Sequence, residues 1–359
     1  MRKYAAIALC TSAILAGCNT SNVSQEPKKE KKVQEVAKQK ETVQEQGKIS
    51  YTPITYESTD TTIHMTDIKD NLTEVQYKIW RTADGKESAK SFSSKEKEKQ
   101  FTLPFDIKEF EGKRGEFQIE ATGMKEDGKT IPLTKSTITF EQKVPVLMYH
   151  AIDDYHGQGI KDLFVSPANF EAQMKHLKDN GYTLLTFERW GDINKVNKPI
   201  FVTFDDGMKN NMNAFRVLQK LKDDTFKPAA TEYMIVDNVD VEGALSTSEI
   251  KEMVDSGIFS VQSHTATHAD LPKITNYEEE LKGSKEKLEK ITGKLVIAIA
   301  YPFGHVDDKV VTETKKYYQF ATTKPGQFIT KGEPDELLKM KRVRIHHTTT
   351  VEQFASSIK

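Results

Sequence analysis

Two adjacent aspartates, Asp205 and Asp206, follow the apolar, β-prone residues 201–204 and precede a glycine. Neighbouring carboxylates repel each other, so a chain that places both at the end of a buried strand needs a compensating positive charge there. One carboxylate could bind a divalent cation while the other takes a proton from water, because adjacent residues at a strand end point in different directions. A simple turn after the strand is the alternative.

Histidines supply the other groups that such a site needs. Of the nine histidines, five follow predicted strands: His150, His264, His268, His346 and His347. The four-residue spacing of His264 and His268 lets both rings converge within one turn, although a solvated helix face has the same spacing. Two histidines and one carboxylate are a common divalent-metal set, usually for zinc, that leaves positions open for water and substrate. The sequence therefore predicts a metal site with a second carboxylate beside it.

The elements that must position these groups are alternating strands and helices from Val144 onward. Strands are predicted at 145–149, 182–186, 200–204, 229–236, 259–262, 295–300 and 342–347. Helices are predicted at 167–181, 210–221, 277–291 and 306–317, after the capping box of residues 246–249, and after Thr350. This order predicts a parallel sheet closed as a (β/α) barrel, with chemistry in the loops after the strands. A span of about 215 residues is small for eight full units.

Residues 49–141 predict a separate all-β module. Residues 61–65 and 75–80 alternate in the period-two manner of half-buried strands, and 116–124 with 130–140 predict a hairpin. The pattern suggests a sandwich of about seven strands and resembles a fibronectin type III or immunoglobulin-like module. This module could bind a glycan, bind a protein or act as a spacer. A spacer role is the simplest expectation.

The amino terminus has the features of an export signal. Arg2 and Lys3 precede an apolar run, and residues 15–18, Leu-Ala-Gly-Cys, resemble a bacterial lipobox. We expect residues 1–17 to be a lipoprotein signal peptide, with cleavage before Cys18 and lipidation of its thiol. An ordinary signal peptide that contains cysteine is the alternative. Residues 18–48 are charged and poor in large apolar side chains, which predicts a flexible tether or a short charged helix.

The overall composition limits the classes of partner that we expect. The 359 residues carry 52 basic and 53 acidic side chains, so the sequence has no excess of positive charge that would favour binding to a nucleic acid. The only two cysteines are Cys10, inside the leader, and Cys18, so the processed protein would have no disulfide. We expect a monomer that is anchored to the cell membrane outside the cytoplasm and faces the cell wall.

Three motifs in this order, TFDDG, HTATH and YPFG, resemble the polysaccharide deacetylase family, carbohydrate esterase family 4, over residues 144–359. The resemblance implies a deacetylase (β/α) barrel with Asp205 as general base. It implies metal ligation by Asp206, His264 and His268. It also implies a groove wall at Tyr301, Pro302 and Gly304, where the backbone N–H of Tyr301 would meet the oxyanion. The opening residues 145–150, which end at His150, resemble the subgroup that acts on poly-N-acetylglucosamine, and we include His150 among the substrate-binding residues.

The sequence departs from the family pattern in two places. Ala300 stands where many members carry an arginine that orients the base, so Asp205 lacks that partner or receives it from Arg342 or Arg344. No Asp-Trp pair occurs in residues 320–326, which leaves one hydrophobic groove wall undefined.

A late histidine is the remaining catalytic candidate. In the family, this histidine lies in an apolar-x-His strand, and Ile345 and His347 share a strand face, which selects His347 as general acid. His346 is the one-register alternative and His150 a third candidate, and a surface pair without catalytic role is the plain alternative for residues 346–347.

Together these features predict a hydrolase that removes N-acetyl groups from N-acetylglucosamine residues of peptidoglycan or poly-N-acetylglucosamine and releases acetate. An O-acetyl esterase on a glycan is one alternative, and a catalytically weak wall-binding lipoprotein is another. An aspartate-nucleophile phosphatase is disfavoured because its Asp-x-Asp signature is absent from FDDG.

Overall fold

The structure is a computed structural model that describes residues 46–95, 100–326 and 334–359. The predicted signal peptide, Cys18 and nearly all of the predicted tether lie outside the described residues. Across the described ranges, no helix combines the length and the apolar character that a membrane crossing requires.

The amino-terminal part of the described chain is built from seven antiparallel strands. They are β1 (Lys48–Tyr51), β2 (Asp60–Thr66), β3 (Glu74–Arg81), β4 (Lys90–Lys95), β5 (Phe101–Asp106), β6 (Gly115–Met124) and β7 (Thr130–Phe140). One sheet has the order β1-β2-β5 and the other β4-β3-β6-β7. Alternate residues of β6 are buried along its whole length, which is the period-two pattern of a strand with one face on a core. Ile63, Tyr77, Phe105 and Phe117 from the two sheets meet in one hydrophobic cluster.

The carboxyl-terminal part is a closed parallel barrel. Its strands are β8 (Val146–Tyr149), β11 (Thr183–Leu185), β12 (Pro199–Phe204), β13 (Ala230–Met234), β14 (Phe259–Ser263), β15 (Ala298–Ala300), β16 (Phe320–Pro325) and β17 (Met340–Arg344). Strands β12 to β17 follow in sequence order, and β8 closes the ring by pairing with both β17 and β12. The barrel therefore has seven strands, and β11 extends it from the edge of β12. Two short strands, β9 (Ala151–Ile152) and β10 (Phe164–Val165), form a separate parallel pair.

Helices surround the barrel as the alternation predicts. They are α1 (Pro167–Asp179), α2 (Asn211–Leu221), α3 (Thr247–Asp255), α4 (Ser284–Thr292), α5 (Asp308–Thr314) and α6 (Val351–Ser357). Side-chain caps fix several starts, since Ser246 and Glu249 form the predicted capping box of α3, and Thr350 forms one with Gln353 at α6. The (β/α) barrel is thus confirmed.

The sequence did not predict the barrel strand β16, and three element boundaries differ most from the prediction. The predicted helix 277–291 opens with a π-helical segment at Glu278–Gly283 before α4 begins. The predicted strand 295–300 is reduced to β15, because the side chain of Gln262 accepts the N–H groups of Ile297 and Ala298. The predicted strand 342–347 ends at Arg344, because a turn follows in which the His346 N–H donates to Thr349 Oγ1.

Candidate active site

The sequence-predicted groups gather at the carboxyl end of the barrel strands. Asp205 and Asp206 follow β12, and His264 follows β14. His150 follows β8, and the loop with His346 and His347 follows β17. Parallel strands bring these loops to one end of the barrel, which is where barrels of this type carry their chemistry.

Three side chains form a compact donor cluster. Asp206 Oδ1 lies 3.5 Å from His264 Nε2 and 3.8 Å from His268 Nε2. One ligand atom from each of the three residues lies within 4.8 Å of the others. His264 is buried, while Asp206 and His268 are partly exposed toward the barrel mouth. The structure therefore brings together the three predicted ligands, which are far apart in the chain.

The histidines are held in the form that binds a cation. The ring of His264 places Nδ1 2.8 Å from the carbonyl oxygen of Ala300, which can only accept, so Nδ1 carries the proton and Nε2 presents its lone pair to Asp206. Burial lowers the pKa of both His264 and His268, which favours their neutral forms.

The carboxylates also fit a divalent cation. Burial raises the pKa of Asp206, and the neighbouring carboxylate of Asp205 adds to that rise. A divalent cation against Asp206 would supply the positive charge that offsets burial and repulsion. Two neutral imidazoles and one carboxylate, with an ordering contact behind one ring, match the donor chemistry of such an ion.

A buried glutamate fixes the loop that carries the two histidines. Glu280, in the π-helical segment, accepts the N–H groups of Ala266 and Thr267, both at 3.0 Å, and the Thr267 hydroxyl at 2.7 Å. Thr265 and His268 have positive φ values of 68° and 62°, which are unfavourable for non-glycine residues. The hydrogen bonds from Glu280 hold the loop in this strained conformation, and π-helical insertions commonly occur at functional sites.

Asp205 receives its cationic partner from the last barrel strand. Arg342 Nη1 and Nη2 donate to the two carboxylate oxygens of Asp205 at 2.6 and 2.7 Å, and both side chains are buried. Burial alone would raise the pKa of Asp205, but the charge of Arg342 and its hydrogen bonds hold that pKa well below its usual range. Arg342 therefore fills the place left by Ala300, whereas Arg344 binds Asp162 at 3.2 Å instead.

The three candidate histidines for the general acid have different surroundings. His150 Nε2 lies 3.9 Å from Asp205 Oδ2, and burial lowers the pKa of His150. His346 is exposed, and its Nδ1 lies 2.8 Å from Asp162 Oδ2. His347 is half-buried, and its Nδ1 lies 2.9 Å from the carbonyl oxygen of Phe164. The strand-face argument for His347 is wrong because β17 ends before it, although this carbonyl contact does leave its Nε2 free to act.

The YPFG segment corrects two expectations about Tyr301. Its side chain is fully buried, so it offers no ring to a sugar. Its backbone N–H donates to the Thr322 carbonyl at 3.0 Å as part of the barrel ladder, so it is not free to meet an oxyanion. Gly304 has φ +66° and approaches Lys324 so closely that an added Cβ would lie 2.5 Å from a backbone nitrogen, and Pro302 beside it is buried.

Phe303 is the residue of this segment that reaches the site. Its side chain is 60% exposed, its φ is +60°, and its ring centroid lies 4.6 Å from that of His268 in an edge-to-face contact. An exposed aromatic ring beside the imidazole of a candidate metal ligand can form an apolar wall for a bound sugar.

Sequence reasoning missed two buried glutamates near the site. Glu232 on β13 is fully buried, and its Oε1 accepts from Asn211 Nδ2 at 2.9 Å. Burial raises its pKa well above the usual range, which favours the protonated form. The sequence did contain a signal for Glu232, because it is the only charged residue within the largely apolar residues 229–236. Glu280 gave no such signal, because it lies in a run of three glutamates that is typical of a helix surface.

This arrangement defines a hydrolase-type barrel with a candidate metal centre and an arginine-paired aspartate. The family model for polysaccharide deacetylase matches residues 192–319. A solved polysaccharide deacetylase from Bacillus cereus shares 96% sequence identity, covers 88% of this chain and 100% of its own, and superimposes with a TM-score of 0.86. The chain therefore belongs to the polysaccharide deacetylase family, which confirms the predicted family and the prediction of an enzyme.

Two curated relatives are more distant. A putative polysaccharide deacetylase of Bacillus subtilis (strain 168) is 32% identical over 194 residues, which span 51% of this chain and 66% of the relative. A poly-β-1,6-N-acetyl-D-glucosamine N-deacetylase of Staphylococcus aureus (strain MRSA252) is 29% identical over 178 residues, which span 44% of this chain and 59% of the relative. The chain thus covers about two thirds or less of these relatives.

Proposed function

We propose that this protein removes N-acetyl groups from N-acetylglucosamine residues of a cell-wall or surface polysaccharide and releases acetate. The observation that carries the proposal is a buried aspartate, Asp205, kept ionised by Arg342 next to the Asp206–His264–His268 cluster. Peptidoglycan and poly-N-acetylglucosamine are the two substrates we consider, and the name of the S. aureus relative supports the second.

Asp206, His264 and His268 would hold a divalent cation, for which their donor chemistry favours zinc. When bound, such an ion supplies Lewis-acid polarisation of the acetamide carbonyl and lowers the pKa of water. The Ala300 carbonyl orients His264, and Glu280 orients the loop of His268, so the chain itself keeps the donors in place before any ligand arrives.

Asp205 would accept the proton of the attacking water. Its low pKa keeps it ionised throughout the physiological range, so the group is always ready to accept. The two Arg342 contacts fix the orientation of the carboxylate, and one lone pair on each oxygen stays available for the proton. The Arg342 charge makes Asp205 a weak base. A weak base is sufficient for a water molecule whose pKa a bound cation would lower.

A histidine would protonate the leaving amine, because an amide nitrogen is a poor leaving group unless it gains a proton. We assign this role to His347. Its Nδ1 donates to the Phe164 carbonyl, so Nε2 is the nitrogen that can carry and deliver the second proton. His346 is instead tied to Asp162 at the surface, and His150 lies against Asp205.

The test combines metal analysis of the purified protein with acetate release from two matched oligosaccharides, one N-acetylated and one O-acetylated. We expect about one bound divalent ion per chain and acetate from the N-acetylated substrate. Acetate from the O-acetylated substrate alone would replace the proposal with an esterase. A protein that binds both sugars and releases no acetate would be a wall-binding protein instead.

We further propose that the protein is a membrane-anchored lipoprotein outside the cytoplasm, held through Cys18, with residues 18–48 as its tether. The two antiparallel sheets of β1 to β7 would form a fibronectin-like or immunoglobulin-like sandwich that spaces the barrel from the membrane, and the protein would act as a monomer. The lipobox-like residues 15–18 and the seven-strand topology support these assignments.

A further inference from the structure

A second concave surface lies between the β-rich part and the barrel. This cleft has a volume of about 600 Å³. Six basic side chains line it: Arg81, Lys113, Arg114, Lys143, Lys198 and Lys359. Within the part of the chain that the structure describes, no aspartate or glutamate side chain lines it. We call this surface the basic cleft.

The basic cleft is separate from the candidate active site. Tyr182 precedes β11, Pro145 precedes β8 and Pro199 begins β12, and all three line the cleft. The cleft therefore faces the amino ends of the barrel strands, whereas Asp205 and the metal-ligand candidates lie at the carboxyl ends. A ligand in the cleft would not occupy the site where acetate is released.

The charge of the basic cleft is only partly neutralised. Arg114 donates to three backbone carbonyls, those of Glu141, Ser58 and Tyr56, so these bonds hold its guanidinium without cancelling its charge. Lys198 Nζ likewise donates to the Asn180 carbonyl at 3.0 Å. Carbonyl partners position a cation but leave its full charge for an anion.

The acids that do pair with cleft cations lie outside it. Arg81 binds Asp84, while Lys113 pairs with Glu111 and Lys143 pairs with Glu57. The side chains of Glu111 and Glu57 are 79% and 75% exposed. Ion pairs that exposed are weak and easily exchanged, so both lysines remain available to a stronger polyanion.

Poly-N-acetylglucosamine, one of the two substrates considered, does not match the charge of the basic cleft. This polymer is neutral, and its deacetylated product carries ammonium groups that the cations of the cleft would repel. A ligand that matches the cleft must be an anionic polymer at the same surface. The half-buried ring of Tyr182, with Lys198 5.3 Å from its centroid, adds an aromatic surface suited to a sugar beside a cation.

We propose that the basic cleft binds an anionic polysaccharide through phosphate or carboxylate groups and so holds the enzyme on the surface whose glycan it deacetylates. The anionic character follows from the cleft alone, and the choice of a polysaccharide rests on the proposed function. Both kinds of group accept hydrogen bonds from lysine and arginine, and both would bind less tightly as salt screens the charges.

The test measures binding of the full chain to three labelled probes: poly(glycerol phosphate), an oligogalacturonate and a neutral chitooligosaccharide. We expect at least one anionic probe to bind more tightly than the neutral one and to weaken as salt rises. Binding of poly(glycerol phosphate) alone would assign phosphate, and binding of the oligogalacturonate alone would assign carboxylate. If neither anionic probe exceeds the neutral one, the proposal fails.

A charge-reversed variant locates the site. Replacing three exposed lysines of the cleft, Lys113→Glu, Lys143→Glu and Lys198→Glu, should weaken anionic-probe binding about tenfold or more. The matched control reverses three exposed lysines elsewhere, Lys222→Glu, Lys251→Glu and Lys290→Glu, and should change binding much less. An equal loss in both variants would mean that net charge, not the cleft, carries the binding.

The same samples separate this proposal from the proposed function. Both triple variants should release acetate from a neutral oligosaccharide at the parent rate, because neither set of lysines is at the carboxyl end of the barrel. Lys113→Gln, Lys143→Gln and Lys198→Gln together guard against misfolding and should give an intermediate loss of binding. Acetate release without anionic binding would overturn the cleft proposal alone. Anionic binding without acetate release would overturn the proposed function alone.

Discussion

At the scale of single residues, the site depends on one buried ion pair. Asp205 and Arg342 are separated by 137 positions in the chain, and each is almost fully buried. A buried carboxylate without a partner would take up a proton, which would destroy a base. The pair therefore keeps Asp205 charged at a cost in desolvation that its two short hydrogen bonds offset.

Asp205→Asn tests the base directly. The amide has nearly the same shape but cannot accept the proton, so acetate release should fall about 10²- to 10⁴-fold. Metal content, measured on the purified protein, should stay at the parent level because Asp206, His264 and His268 are intact. Asp224→Asn, at a fully exposed carboxylate, is the control. An Asp205 variant that turns over at the parent rate would show that another group takes the proton.

Arg342→Met and Arg344→Met form a matched pair from one strand. Loss of Arg342 leaves Asp205 buried without a cation, which should lower the free energy of unfolding by about 3–5 kcal/mol and abolish most acetate release. Loss of Arg344, whose pair with Asp162 is half-exposed, should cost about 1 kcal/mol or less. Denaturant unfolding and acetate assays measure both effects. Equal losses in the two variants would contradict the assignment of Arg342 as the partner of Asp205.

Glu232→Gln tests the neutral state of the buried glutamate on β13. Burial raises the pKa of Glu232 above its ordinary value of 4.5, so the native state holds a proton that the unfolded chain releases. Stability should consequently fall as the pH rises above about 4.5, and the Gln variant should lack this contribution. The melting temperature of the variant relative to the parent should therefore increase with pH. A constant difference from acid to neutral pH would show that Glu232 is ionised in the fold.

At the scale of elements, the strand ends and one irregular helix determine the site geometry. Four non-glycine residues with positive φ, Asp206, Thr265, His268 and Phe303, lie in loops after β12, β14 and β15. Such conformations persist only when the surroundings hold them. The π-helical segment Glu278–Gly283 does this for the histidine loop by placing Glu280 beneath it.

Glu280→Ala should release that loop. Two backbone N–H groups would lose their buried acceptor, and the histidine loop would no longer be held for ligation. Metal affinity, measured by competition with a chromophoric chelator, should fall about 10- to 100-fold. Glu278→Ala, two residues away on the exposed side of the same segment, is the control and should keep the parent affinity. Unchanged affinity in the Glu280 variant would mean that the loop holds itself.

At the scale of the whole molecule, the β-rich part and the barrel are joined by polar contacts. Arg81 Nη2 donates to Asn197 Oδ1 at 2.8 Å, and Gln142 Nε2 donates to the carbonyls of Ile193 and Val196. These bonds satisfy buried groups of both parts and form one wall of the basic cleft. The candidate active site lies at the opposite ends of the barrel strands.

Cys18→Ala tests the anchor. The variant has no thiol to acylate, so in the producing cell the protein should leave the membrane fraction, and labelling with a fatty-acid analogue should disappear. Acetate release per molecule should not change, because the residues assigned to catalysis all lie in the barrel. Continued membrane retention and labelling of the variant would show that something other than Cys18 attaches the protein.

The sequence by itself determined most of the alternation of strands and helices, without β16, together with the strand-end positions of the acids and histidines, and the family. These features are local, since periodicity, capping residues and short motifs act over a few positions. Only the tertiary structure decided that Arg342 rather than Arg344 pairs with Asp205, and that the Tyr301 N–H donates to a neighbouring barrel strand. Packing between strands that are distant in the chain sets both outcomes. Arg342 and Arg344 share one face of β17, but only Arg342 is buried against Asp205, and the pairing of β15 with β16 places the Thr322 carbonyl opposite the Tyr301 N–H.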